Sequence, residues 1–278
     1  MNGIICINKP EAMTSFDVVA KIRRYTRAKV GHSGTLDPMA TGVLVLALNQ
    51  GTKALPYLGI EDKTYHAKIK FGLRTHTGDI WGDTEEEGAL VPYDEAQLKA
   101  VVTALIGKQN QRVPKVSAKK IDGKRSYDYI LEGKEVKQLY ADVEVYAIDV
   151  LHFDAEGVEF IAHVSSGTYI RTLCEDIATG LGMIGAMSYL QRTQVGRFTL
   201  EDCIELDALD TLVDKLIPTK EAIQLPKIEN ERMIHFVKNG KTLKLDIPED
   251  RVLVDAGEYY AVYERIDETT FKSVRGLW

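Results

Sequence analysis

The run Gly31-His32-Ser33-Gly34-Thr35-Leu36-Asp37-Pro38-Met39-Ala40-Thr41-Gly42 constrains this chain more than any other stretch. It holds three glycines, one histidine and one carboxylate, and passes straight into the apolar run 43–48. Glycine accepts backbone angles and close approaches that other residues resist. Pro38 fixes its own φ and pushes Asp37 out of the helical region. The pattern predicts Asp37 on a stiff, extended backbone at the mouth of a buried strand. A single reactive carboxylate can be held still there. A plain structural turn accounts for the same residues, because Asp-Pro is a common turn dipeptide.

The chain around this loop reads as a strand over residues 4–7 and then a helix capped by Thr14-Ser15, with Val18, Ile22 and Tyr25 as its apolar stripe. Residues 63–71 alternate as a half-buried strand does, with Tyr65, Ala67, Ile69 and Phe71 on the inner face. Asp94 caps a helix that carries Leu98, Val101, Val102 and Leu105 and ends at Gly107. Residues 142–153 and 157–165 read as two strands. Thr168 is placed to cap a helix with Ile170, Leu173, Ile177 and Leu181 as its stripe, and Arg171 sits at the edge of that stripe. Taken alone, Arg171 reads as an i,i+4 partner of Glu175. Residues 207–216 read as an acidic amphipathic helix. Pro218 and Pro226 flank a linker, after which short apolar strands predict a small β-rich unit.

A chain of 278 residues holds one large domain and a small one. The division expected is residues 1–220 and 221–278. No apolar run approaches a membrane span. The first residues lack a signal-peptide pattern, and a cytoplasmic protein is expected. The three cysteines, Cys6, Cys174 and Cys203, form no C-x-x-C pair. With no metal-ligand spacing among the histidines, neither a metal nor a cofactor is expected.

The net charge of −6 speaks mildly against nucleic acid. Its distribution speaks the other way. Basic residues cluster in Lys21-Ile22-Arg23-Arg24 with Arg27 and Lys29, and again over residues 108–125. Acidic residues gather in Glu85-Glu86-Glu87 and over 201–214. A basic face on an acidic body and two ordinary solvated segments fit these clusters equally well.

The string GHSGTLDPMATGVL resembles the signature loop of the TruB family of tRNA pseudouridine synthases. Further motifs follow in the order this family has them: Asn8-Lys9-Pro10 with Met13-Thr14-Ser15, then Lys63-Thr64-Tyr65, Gly167-Thr168-Tyr169-Ile170-Arg171, and Tyr189-Leu190-Gln191-Arg192-Thr193 with Gly196-Arg197-Phe198. The resemblance covers roughly residues 1–200. It implies an α+β fold with a mixed, mainly antiparallel sheet flanked by helices and a small, β-rich, PUA-like or RNA-binding C-terminal domain. It implies isomerisation of uridine-55 in the tRNA T-loop to pseudouridine, with the target base flipped out of its stack.

By this resemblance Asp37 is the catalytic carboxylate, Arg171 its partner, and Tyr65 the aromatic that stacks on the base and can take a proton. Leu190 packs against the flipped base, His32 fills the vacated stack, and Lys9 supports the loop or joins the substrate contacts. Where Gln191 stands the family commonly has arginine, so no role passes to Gln191. A basic thumb-like insertion, about residues 108–140, would close on the tRNA T-arm, with Lys119 and Lys120 on the phosphates. No guide RNA is expected, and a monomer is. Attack of Asp37 on C1′, its addition to the uracil ring, and a glycal route all fit these residues. The rival readings are an RNA-folding chaperone using the same cleft, an RNA-guided relative, and a glycoside hydrolase, which would need a second opposed carboxylate.

Overall fold

The computed structural model describes residues 1–117, 120–121, 124–125 and 138–278. In chain order the strands of the main body are β1 (Gly3–Lys9), β2 (Val30–His32), β3 (Thr41–Leu48), β4 (Asp62–Phe71), β5 (Leu73–Thr75), β6 (Thr84–Glu87), β7 (Gly107–Arg112), β8 (Lys120–Ile121), β9 (Lys124–Arg125), β10 (Tyr140–Phe153), β11 (Gly157–Ser165), β12 (Gly185–Val195), β13 (Phe198–Thr199) and β14 (Cys203–Ile204). Two short ribbons, β5–β6 and β8–β9, stand apart. The rest form a ten-stranded sheet in the order β14-β1-β3-β12-β4-β11-β10-β7, with β2 beside β3 and β13 beside β12. Its pairs are antiparallel except β1–β14 and β3–β12.

Among the described residues three helices of ten or more residues cover this sheet. Helix α1 (Ser15–Thr26) starts on a reciprocal capping box. The Asp17 amide donates to the Thr14 hydroxyl at 3.1 Å and the Thr14 amide to the Asp17 carboxylate at 2.8 Å. Helix α2 (Glu95–Ala104) starts the same way on Asp94 and Gln97. Helix α3 (Ile170–Gly180) carries a buried stripe that includes Ile170, Leu173 and Ile177. With α2 it packs on β4, β10, β11 and β12. Helix α1 packs Val18, Val19 and Ile22 on Ile5, Ile7, Leu44 and Leu46.

The C-terminal strands are β15 (Lys227–Glu229), β16 (Leu243–Lys244), β17 (Arg251–Ala256), β18 (Tyr259–Arg265) and β19 (Thr270–Gly276). They form a separate sheet in the order β15-β17-β18-β19-β16. Its Leu253 and Val262, with Leu277, share one core with Ile4, Val43 and Val45 on the face of β1 and β3 opposite α1. The observed class is the expected α+β, with a mainly antiparallel sheet flanked by helices.

Several local expectations need correction. Residues 207–216 do not form an α-helix; only Leu209–Thr211 makes a 3-10 turn. Leu206, Leu209 and Leu212 reach the α1 core, and a spacing of three suits a 3-10 turn as well as a helix. Tyr25 is exposed rather than part of the α1 stripe; from Ile22 the stripe drifts to the half-buried Thr26. Thr168 does not cap α3, because its hydroxyl donates to the Ser165 carbonyl. Buried Gln111 of β7 takes over, accepting from the Tyr169 amide at 2.8 Å and donating to the Tyr169 carbonyl at 3.1 Å. Residues 108–112 and 140 belong to the main sheet, where β7 pairs with β10 from Tyr140↔Arg112 onward. The region that leaves the sheet is therefore shorter than the expected insertion.

The parallel joint of β3 with β12 places Gly42 against Arg192. Gly42 has φ +103°, and a Cβ there would stand 2.2 Å from the Arg192 carbonyl oxygen. We expect Gly42→Ala to lower the unfolding free energy by about 2 kcal/mol or more. Urea denaturation checks this, and an unchanged midpoint would mean that the joint is not close-packed in solution.

Candidate active site

The loop between β2 and β3 is held from below. The Ser15 hydroxyl, at the first turn of α1, accepts from the Leu36 amide at 2.9 Å and donates to the Leu36 carbonyl at 3.3 Å. The Pro38 carbonyl accepts from the Ala12 amide at 2.9 Å and from the Lys9 ammonium at 3.3 Å. The Ala40 amide closes the turn onto the Asp37 carbonyl at 3.0 Å. Asp37 thus rides on a backbone anchored on both sides, and one third of its side chain stays exposed (33%).

Arg171 meets it from the first turn of α3. Its Nε lies 3.0 Å from Asp37 Oδ2 and its Nη2 3.4 Å from Oδ1. This is the side-on fork that a guanidinium offers a carboxylate. The other edge is fixed as well: Nη1 donates to the Thr77 carbonyl at 2.7 Å and to the Val116 carbonyl at 3.0 Å. Glu175 is not its partner; that carboxylate pairs with Arg112.

Above the pair lies a cleft of about 270 Å³ whose lining includes Asp37, Tyr65, Leu190, Arg171, Lys63 and Arg192. Tyr65 and Leu190 come from neighbouring strands β4 and β12 and are both buried. The cleft therefore has an apolar, aromatic wall opposite a fixed carboxylate. This suits a planar base held beside a reacting sugar carbon. A larger hollow of about 400 Å³ lies on the far side of Arg171, with Arg74, His76, Glu175 and Asp176 in its wall, and does not contain Asp37.

Residues 22–170 match the family model described as TruB family pseudouridylate synthase (N terminal domain). The chain belongs to the TruB family. Residues 171–225 match the tRNA pseudouridylate synthase B C-terminal domain. Curated relatives carry the name tRNA pseudouridine synthase B. That of Clostridium tetani is 38% identical over 95% of this chain and 92% of its own length. That of Bacillus licheniformis is 36% identical over 94% and 92%, and that of Corynebacterium efficiens 44% over 74% and 71%. Two solved structures share the fold. One is an H/ACA RNP bound to a substrate RNA containing 2'-deoxyuridine, with TM-score 0.72 and 24% identity over 99% of this chain and 85% of that one. The other is a Cbf5-Nop10-Gar1 complex, with TM-score 0.72 and 25% identity over the same shares, 99% and 85%. The chain is a pseudouridine synthase, an isomerase.

In this TruB protein the structure brings Asp37, Tyr65, Arg171 and Leu190 to one cleft. His32 stands beside it at the end of β2, with its ring edge-on to Phe16 and the centroids 6.0 Å apart. Burial lowers the imidazole pKa below its ordinary value and so favours the neutral ring. Lys119 lies outside the described residues, and of Lys120 only the backbone, in β8, lies within them. Among the described residues no group of His, Cys, Asp and Glu could hold a metal ion. Nor is any helix among them long and apolar enough to cross a membrane.

Lys9 needs correction as a substrate contact. It is wholly buried, and its ammonium donates to the carbonyls of Pro10 at 2.9 Å, Met13 at 2.5 Å and Pro38 at 3.3 Å. Burial pushes its pKa down to about 8. It is a support beneath the loop.

Sequence reasoning missed Lys63 and Arg192. Both are buried and both line the cleft. The available signal was parity. Lys63 shares the inner face of β4 with Tyr65, as Arg192 shares that of β12 with Leu190.

Lys9→Met removes three donors from under the loop. We expect it to lower the unfolding free energy by about 1–3 kcal/mol and to lower kcat, while the RNA Kd stays within about threefold. Chemical denaturation and filter binding decide, and a large rise in Kd at unchanged stability would return Lys9 to the substrate contacts.

Proposed function

We propose that this enzyme isomerises uridine-55 of the tRNA T-loop to pseudouridine, flipping the target out of its stack and using Asp37 at the sugar. The observation that carries the reading is the forked Asp37–Arg171 pair facing a wall of Tyr65 and Leu190. The carboxylate faces C1′ while the base is held between Tyr65 and Leu190. The N1–C1′ bond breaks, the uracil turns in the cleft, and C5 bonds to C1′. The walls must keep the detached base from diffusing away, which an aromatic stack and a fitted leucine favour. Tyr65 is placed to take the C5 proton, and His32 with its neutral ring would fill the gap left in the RNA stack.

The names of the relatives that span most of the chain favour transfer RNA, bound through the T-arm, over other RNAs. The same names favour a stand-alone enzyme over the multi-component assemblies in the titles of the solved structures. A single copy carries every group of the cleft, which favours a monomer. Lys119 and Lys120 would add phosphate contacts that tighten binding without choosing a sequence.

The test uses a T-arm stem-loop labelled with tritium at C5 of uridine, with no metal or cofactor added. Wild type should release the label, whereas Asp37→Asn should reduce release by about 10⁴-fold or more with RNA still bound. Turnover retained by Asp37→Asn would sink the aspartate mechanism. Reversing the charge of Lys119 and Lys120 should weaken RNA binding and flatten its salt dependence by about two phosphate contacts. An unaltered slope of log Kd against log salt would remove both from the footprint.

A further inference from the structure

Two cations in the cleft have no part in holding Asp37. The Lys63 ammonium donates to the Ile60 carbonyl and to the Ser166 hydroxyl, each at 3.0 Å. Arg192 donates from Nε to the Val43 carbonyl at 2.8 Å and from Nη2 to the Gly34 carbonyl at 3.3 Å. Among the described residues neither has a carboxylate within 4.0 Å. Their exposures are only 6% and 1%. Removing a charge from water without an ionic partner is expensive; unlike Lys9, both of these side chains line the cleft, where a negative ligand would offset that cost.

Their position says where that ligand lies. Arg192 and Tyr65 are direct partners in the antiparallel pairing of β12 with β4. Lys63 sits two residues before Tyr65, and Leu190 two before Arg192, so each strand turns one apolar and one cationic side chain to the cleft. The two cations flank the same point of the loop. A Cβ on Gly34 would stand 3.8 Å from Arg192 Nη1 and 3.9 Å from Lys63 Cε. A base held by Tyr65 and Leu190 would share the cleft with this pair, whose neighbours on the same two strands are the residues that hold it.

Resting on the functional reading above, we propose that Lys63 and Arg192 stabilise the negative charge that builds on the uracil when its bond to C1′ breaks. The electron pair of N1–C1′ leaves with the base and spreads onto O2 and O4. The positive charge left at C1′ is met by the Asp37 carboxylate. After the base turns, C5 returns an electron pair to C1′; the C5 proton leaves by way of Tyr65 to solvent and N1, now free of the sugar, takes a proton up, so the product is neutral. The charge on the base exists only between the two bonds. Fixed cations at its oxygens therefore act on the transition state more than on the bound substrate. Arg171 is spent on Asp37 and the Thr77 and Val116 carbonyls, so the task falls to the other two.

Burial pushes the Lys63 pKa down to about 8. Arg192 on β12 lowers it further, while Glu61 and Asp62 beside it oppose the fall. The charged form is needed, so the rate should drop as the pH rises through about 8.

The experiment measures single-turnover tritium release and RNA Kd on the same stem-loop for wild type, Lys63→Met and Lys63→Arg. Lys63→Met should slow release about 100-fold with Kd within about threefold, and Lys63→Arg should recover most of the rate. Lys9 also loses its proton near 8, so the pH profile is read in a Lys9→Met background. There the alkaline fall should move up by about one pH unit or more on adding Lys63→Arg, because a guanidinium stays charged. If Lys63→Met does not fold, this pH comparison decides alone. A Kd defect with the rate intact would make Lys63 a phosphate contact and overturn the proposal. So would the same alkaline limb in Lys9→Met with and without Lys63→Arg. Full-rate release by Lys63→Met overturns this proposal alone, whereas no release by wild type overturns the functional reading and the proposal with it.

Discussion

The fork between Arg171 and Asp37 is the interaction on which the site depends. Its two halves come from places far apart in sequence, and each is fixed by packing that has nothing to do with catalysis. Arg171 is aimed because α3 is pinned to the sheet by Ile170, Leu173 and Ile177 and because Gln111 holds the peptide at its start. Asp37 is aimed because Ser15 and Lys9 tie its loop to α1 and to the end of β1. Neither tether reaches the carboxylate itself. The carboxylate is left with one bidentate partner and an open side.

The cleft carries more buried positive charge than the fork requires. Lys9 and Lys63 are both pushed down to about 8 by burial. For a lysine the sign is clear: between its ordinary value and about 8 the unfolded chain takes up the proton before the folded one does. Each lysine therefore makes the fold less stable as the pH falls through that window. Lys9 offsets that cost through the three carbonyls it ties together. Lys63 holds only one carbonyl and one hydroxyl, and a buried charge kept on such terms fits the trade of stability for function seen at other reactive sites.

Much of this was legible in the chain. The capping boxes of α1 and α2, the alternation of β4 and the glycine-rich loop all obey local rules, and local rules need no partner to be read. What escaped was set by tertiary contact. For Lys9 the resemblance left support of the loop and substrate contact both open, because nothing nearby in sequence shows that three carbonyls converge on it. Lys63 and Arg192 lie on the inner parity of their strands, but the usual solvation of lysine and arginine hid that signal. Residues 207–216 carry a helical pattern, and the α1 core took their leucines through a shorter turn instead. Thr168 has the chemistry of a cap, yet a glutamine from a distant strand occupied that role.

Arg171 does more than face Asp37. Its remaining nitrogen is shared between the carbonyls of Thr77 and Val116. Thr77 belongs to the turn between β5 and β6. Val116 ends the stretch that leaves β7 for the basic region. The guanidinium is thus a node at which the β5–β6 turn, the segment after β7 and the loop of Asp37 share one set of hydrogen bonds. Linkage makes such a node reciprocal. Whatever free energy a ligand gains by settling Val116 or Thr77 into place is returned, in equal amount, as restriction on the orientation of Asp37. Substrate recognition at the edge and preorganisation at the centre are then two readings of a single equilibrium.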